Sequence, residues 1–269
     1  MSGATMDASQ LFRSGDLAAA IAAQVEAVKA KPTDAATRTF LFELLCFAGE
    51  LDRAEKQLEV IGHQSAEAQW PAQVYSNLLY AERQRRRTFE EGVAPQFLLD
   101  PPDYVTRHVE AAASLAKHQT AQAVELIEAA RPRIPEIRGR LEERSFQSLC
   151  DSDELLAPVL EVMLLRDYIW LPWSQVRELE IPKPERPRDL IWTPVRIGLA
   201  NGEQRRAFLP MLYYGTHKVE DDRVRLGRMT DWFAADDGPA RGLGQHTLLM
   251  DDEEVGLLTC RDLQLEPVT

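Results

Sequence analysis

Short acidic runs mark this chain at four places: Asp151-Ser152-Asp153-Glu154, Asp221-Asp222, Asp236-Asp237 and Asp251-Asp252-Glu253-Glu254. Neighbouring carboxylates can move protons or hold a cation. In a chain of formal net charge -12 they read instead as solvated turns, and Asp251-Asp252, set between two apolar runs, suits a hairpin loop. His63, His108, His118, His217 and His246 lack the close pairing of a metal site, and no HExxH pattern occurs. Cys46, Cys150 and Cys260 lie more than 100 residues apart and read as buried small hydrophobes rather than a disulfide or metal framework. Arg241-Gly242-Leu243-Gly244 is too short a glycine pattern to cradle phosphate without a following GxGxxG or GK[ST] helix, so it reads as a turn. No GxSxG elbow is present. No catalytic residue, metal or cofactor is therefore expected.

Two groups of side chains remain that suit recognition. Arg83, Arg85, Arg86 and Arg87 close a predicted helix, either as a solvated face favoured by the helix dipole or as a site for an acidic partner segment. Trp232 and Arg241 combine large area with directional donors, as interface anchors do. An internal Asp231–Arg241 pair beside a packed Trp232 is the structural alternative.

The elements that must position these residues differ between the two halves. At 269 residues, two modest domains are the natural expectation. Mean hydropathy of -0.31 and the absence of a long apolar run argue against membrane spans, and nothing after Met1 resembles a signal peptide, so the expected place is the cytoplasm. The acidic balance disfavours nucleic-acid binding.

Gly15-Asp16-Leu17-Ala18-Ala19-Ala20 aligns with Gly49-Glu50-Leu51-Asp52-Arg53-Ala54 at a spacing of 34 residues, the tetratricopeptide (TPR) period. Ala20 and Ala54 correspond, and Ala123 falls about two periods later, as small residues must where helices cross closely. A further helix is predicted from about Pro71 to Arg87, then one from about Thr106 to Lys117 leading into a third hairpin. Beyond residue 145, Leu155 to Leu164 predicts a buried helix capped by Asp151, Ser152 or Asp153. Pro182, Pro184 and Pro187 break any continuing helix, and the stretch is expected to be cut by proteases if it is an exposed linker. Short strands are predicted at Pro194 to Leu199, Arg205 to Met211, Arg223 to Met229, Gln245 to Met250 and Val255 to Leu265, with a type I′ turn at Asn201-Gly202. The fold class is thus α+β multidomain: a TPR-like α-helical repeat domain over 1–145, then a small, mostly antiparallel β-rich α+β domain over 146–269.

The second half also carries Asp151-Ser152-Asp153-Glu154, Leu160-Glu161-Val162, Tyr168-Ile169-Trp170-Leu171-Pro172, Arg188-Asp189-Leu190-Ile191-Trp192, Pro210-Met211-Leu212-Tyr213-Tyr214-Gly215, Thr230-Asp231-Trp232 and Arg241-Gly242-Leu243-Gly244-Gln245. In order and spacing these resemble the ImpE/SciE (TagJ) family of type VI secretion accessory proteins. Two departures stand out: the acidic motif is shorter than a full Asp run, and His246 stands where the family pattern calls for arginine. The resemblance implies a non-enzymatic adaptor that binds the small subunit of the contractile sheath and the AAA+ ATPase that disassembles contracted sheath. Within the repeat, Asn77, Tyr80, Arg83 and Arg87 share one helix face and are expected to line a groove for an acidic or amphipathic partner segment, with Trp232 and Arg241 as a second surface. Two other readings stay open: an enzyme built on Asp231, Arg241 and His246, which would have to converge on one pocket, and a purely structural oligomerisation module.

Overall fold

The computed structural model of the chain describes residues 6–235 and 237–268. Asp236 of the Asp236-Asp237 pair lies outside the described residues. Helices come first: α1 (Ala8–Ser14), α2 (Leu17–Ala30), α3 (Ala35–Phe47), α4 (Leu51–Gly62), α5 (Ala66–Glu91), α6 (Asp103–Ala116) and α7 (Thr120–Ala130). Asp7, Asp16, Asp34 and Ser65 cap four of them, their side chains accepting backbone N–H groups of the first turn. Three of the hairpin turns share one geometry. Asp16, Glu50 and Gln119 donate their N–H to the carbonyls of Leu11, Leu45 and Ser114 at 3.0, 2.9 and 2.9 Å, across a left-handed residue at Gly15, Gly49 and His118, with φ of 91°, 72° and 58°. Five residues after each, Ala20, Ala54 and Ala123 are 0 % exposed. The repeat register read from the sequence is thus the register of the fold. Helix α5 begins at Ala66, earlier than expected, because Ser65 caps it and Pro71 is accommodated inside it.

Strands follow: β1 (Gly139–Leu141), β2 (Arg144–Phe146), β3 (Leu149–Asp151), β4 (Val159–Leu164), β5 (Asp167–Pro172), β6 (Val176–Glu180), β7 (Trp192–Leu199) and β8 (Gln204–Pro210). After a short helix α8 (Asp222–Arg225) come β9 (Thr230–Phe233), β10 (Arg241–Gly244), β11 (Thr247–Met250), β12 (Glu253–Gly256) and β13 (Asp262–Leu265). An eight-stranded antiparallel sheet runs β2-β1-β13-β6-β7-β8-β4-β5; β12-β11-β3 forms a smaller sheet and β10-β9 a ribbon. The period-two alternation splits two cores. Leu160, Val162, Ile169 and Leu171 point away from the helices, towards Leu248 and Met250, while Tyr168 and Trp170 point towards α6 and α7.

Four local expectations are corrected. Leu155 to Leu164 is not a helix: residues 154–158 turn and β4 follows, buried on both faces, so its apolar run loses the alternation that betrays a strand. The proposed cap works all the same, since Asp153 Oδ1 accepts from Leu155 N at 3.0 Å. Arg223 to Met229 is not a strand, because Asp221 caps α8 there. Val255 to Leu265 divides into β12 and β13, which belong to different sheets. The β7–β8 turn has only Gly202 at positive φ (84°), with Leu199 N donating to Glu203 O at 2.8 Å, so it is a glycine-bulged turn rather than type I′.

One face of the helical stack is covered by the chain itself. Phe42, Phe47, Leu78 and Leu79 of α3 and α5 share a core with Met163, Ile191, Trp192, Leu212 and Leu226. Polar contacts reinforce it: Leu17 N donates to Asp222 Oδ2 at 2.8 Å, and Arg228 Nη2 to Phe12 O at 2.6 Å. Arg188 Nη1 donates to Glu43 Oε1 at 3.2 Å, where burial pushes the Glu43 carboxyl up to about 7 against the pull of Arg188. The Pro182–Pro187 stretch joins β6 to β7, neighbours in the large sheet. Among the described residues, no helix is long and apolar enough to cross a membrane.

Candidate functional site: a helix–sheet cleft beside a buried ion network

Arg85 sits in the C-terminal third of α5 on the side that meets the sheet and is 3 % exposed. A buried guanidinium needs its donors matched. Arg85 Nε and Nη2 donate to Glu161 Oε1 and Oε2 at 2.7 and 2.8 Å, and Nη2 also to Leu212 O at 2.9 Å. Tyr168 donates its hydroxyl to Glu161 Oε1, and Trp170 Nε1 donates to the Tyr168 hydroxyl at 2.6 Å. On the far side, His246 lies between two carboxylates, Nδ1 at 2.9 Å from Asp151 Oδ2 and Nε2 at 3.0 Å from Glu161 Oε2. The Nε2 contact is close enough for an ion pair but not aligned as a hydrogen bond. Tyr213 donates to Asp151 Oδ1 at 2.7 Å with its ring 3.9 Å from the imidazole.

Burial alone would favour neutral His246, but Asp151 and Glu161 prevail and raise its pKa to about 9. For Glu161, burial works upward, yet Arg85 and His246 hold the carboxyl well below its usual range. His246 therefore stays an imidazolium and supplies a positive charge between the two carboxylates. Residues of several second-half motifs, Asp151, Glu161, Tyr168, Trp170 and Tyr213, meet in this network, which ties α5 to β3, β4, β5 and the chain just before β11.

Asp153, 0 % exposed, extends the network outward. It accepts from Arg241 Nε at 2.9 and 2.8 Å and from Gly242 N at 3.0 Å. Gly242 is required there, since a Cβ would stand 2.3 Å from the Tyr213 ring. The two terminal nitrogens of Arg241 have no hydrogen-bond or ion-pair partner among the described residues. Arg241 lines a cleft of about 490 Å³ between α5–α7 and the β9–β10 ribbon. Its floor is the stacked pair Phe89 and Tyr214, ring centroids 4.6 Å apart. Leu115, Leu155, Phe233 and Leu243 form its walls, and Lys218 stands at its edge. Phe233 is 45 % exposed. A second opening of about 850 Å³ lies beneath the exposed Trp70, but its lining carries Glu180 and Asp262 with Arg196, Arg206 and Arg261. Glu180 already pairs with Arg196 there.

The arginine run does not form one solvated face. Arg85 is buried, Arg86 donates to Gly49 O at 2.9 Å, and Arg83 reaches back to Asp52 and Glu55 of α4 at 2.8 and 2.7 Å. Arg87 pairs with Glu91 at 3.0 Å, Asn77 accepts from Gln73 at 3.1 Å, and Tyr80 lies under Arg166 at 3.8 Å. Trp232 packs against Tyr213, with centroids 5.8 Å apart, on the strand beside Arg241. Arg241 pairs with Asp153, not Asp231. Asp231 is exposed and His246 buried, so Asp231, Arg241 and His246 do not converge on one pocket. Sequence reasoning read Arg85 only as part of an exposed run and Tyr214 only as part of a motif, and it missed Phe89; the apolar Phe89 after a charged run was the signal available for the cleft.

Helical hairpins docked onto a β-rich domain whose motif residues are engaged in a structural network define a TPR-containing protein with a specialised partner domain. Residues 11–72 match the tetratricopeptide repeat family and residues 143–264 the family described as ImpE protein. Over 262 residues the chain is 37% identical to the type VI secretion system accessory component TagJ of Pseudomonas aeruginosa, spanning 97% of this chain and 92% of that protein. The crystal structure of protein VPA1032 from Vibrio parahaemolyticus superposes with a TM-score of 0.88 at 27% identity, covering 96% of this chain and 97% of that one. The chain belongs to the ImpE (TagJ) family.

Proposed function

We propose that this protein is a non-enzymatic, cytoplasmic adaptor of a type VI secretion system that binds the small subunit of the contractile sheath and, through another surface, the sheath-disassembling AAA+ ATPase. The name of its Pseudomonas relative supports the accessory role. The cleft carries the reading of where a partner segment docks: about 490 Å³ of largely apolar space, with aromatic floor and cationic edge, is a size and chemistry that suits side chains of a peptide. Arg241 belongs to this surface, and Trp232 stands on the adjoining strand, packed against Tyr213. The face of Asn77, Tyr80, Arg83 and Arg87 is the lesser candidate, because its charges are already matched by the chain's own residues. We further propose that residues 1–145 and 146–269, although distinct in architecture, act as one body held by the Arg85–Glu161–His246 network.

The test is titration of the purified small sheath subunit against two folded variants. Phe233→Glu places a charge in the cleft wall and should weaken binding at least about tenfold, as loss of an interface anchor does. Arg83→Ala with Arg87→Ala should leave affinity within about twofold, the level at which exposed ion pairs act. The opposite pattern would move the site to α5.

A further inference from the structure

We infer that the segment seated in the cleft presents a single carboxylate to Arg241, flanked by bulky apolar side chains; this rests on the reading that the cleft holds the partner. Arg241 is the group that selects the ligand's chemistry. Its Nε is committed to Asp153 at 2.9 and 2.8 Å, which fixes the plane of the guanidinium. Its carbon centre lies 5.3 Å over the Phe89 ring, so the guanidinium rests against the aromatic floor and lines the cleft. A planar fork, held in place before binding and partly desolvated, is built for a carboxylate.

Charge complementarity points the same way. The protein carries 43 acidic residues against 31 basic ones, yet among the described residues the cleft lining contains no Asp or Glu and includes both Arg241 and Lys218. Lys218 is already engaged, with Nζ 2.9 Å from Glu90 Oε1 and 3.2 Å from the Tyr214 hydroxyl. Among the described residues, one cation of the lining keeps open donors, which calls for one carboxylate rather than an acidic tract. The remaining lining is mainly apolar, with Phe89, Leu115, Leu155, Phe233 and Leu243 outweighing the polar side chains of His118, Thr120 and Tyr214, so the flanking residues of the ligand are mainly apolar.

Overlapping short peptides spanning the small sheath subunit of the same secretion system provide the probes, read by fluorescence anisotropy against the full-length protein. The tightest peptide should lose about tenfold or more when one of its Asp or Glu residues becomes Asn or Gln, the scale of a charge-assisted pair. Arg241→Lys keeps a cation for Asp153 but removes the fork. It should lose a similar factor towards the native peptide, with no further loss towards the amide peptide. If Arg241→Lys does not fold, the peptide substitutions on the unaltered protein decide alone. Should every amide substitution bind within about twofold while Phe233→Glu still abolishes binding, the carboxylate assignment is overturned and the cleft stands. Should no peptide bind, or none depend on Phe233, the cleft reading fails and takes the carboxylate with it.

Discussion

His246 offers a way to weigh the buried network by pH. Its pKa is raised from 6.5 to about 9 in the folded protein. The folded state thus holds this proton more tightly than the unfolded chain does. The stabilisation is fully present below pH 6.5 and is lost as pH rises through about 9. At about 1.4 kcal/mol per pKa unit the shift corresponds to on the order of 3 kcal/mol, a large share of a typical folding free energy of roughly 5–15 kcal/mol. Urea unfolding of the wild type and of His246→Gln, followed by circular dichroism at several pH values from 6 upward, measures it. The wild type should lose stability steadily between pH 6.5 and 9, and the difference between the two proteins should shrink over that window. His217, pushed down to about 4 by burial and by Arg86, is neutral throughout, and Glu43 titrates alike in both proteins. Parallel stability curves for wild type and variant across the window would show that the imidazole is not held as a cation between Asp151 and Glu161.

Other perturbations reach the remaining parts of the account. Arg85→Met strips Glu161 of its bidentate partner and should cost about 3–5 kcal/mol, the toll of breaking a buried ion pair, seen as a lower Tm; pairing it with Glu161→Leu should recover part of the loss. Ala54→Leu overfills a helix crossing that is 0 % exposed and should cost about 1–3 kcal/mol by thermal melting. Gly244→Ala must fail more severely than a surface glycine change, since φ there is 100° and a Cβ would stand 2.1 Å from Met229 O. Cleavage by a glutamate-specific protease at exposed Glu185 should leave two fragments that still co-elute, because β6 and β7 flank the cut and remain paired.

The helical half was legible because its signals are local. Gly15 and Gly49 mark the left-handed turns and Ala20, Ala54 and Ala123 the close crossings, all within a few residues of one another. The strand half was legible only where turns punctuate it, as at Asp251-Asp252 between β11 and β12. Leu155 to Leu164 misled because a strand buried on both faces looks the same as a buried helix when only apolarity is read. Trp232 and Arg241 were picked out by residue type, yet the partner of Arg241 was not foreseen, since Asp153 lies 88 residues away. The Arg85–Glu161 and Asp151–His246 pairs are separated by 76 and 95 residues. Their motifs were visible in the sequence as short words, whereas the meeting of those words is a property of sheet order and helix docking.

Hydrogen exchange on the protein with and without the purified small sheath subunit tests the placement of the partner most directly. Binding in the cleft predicts new protection over residues 213–219 and over the β9–β10 ribbon, with Tyr80 to Arg87 exchanging as in the free protein. Protection gained on the outer face of α5 and α4, with the ribbon unchanged, would contradict it.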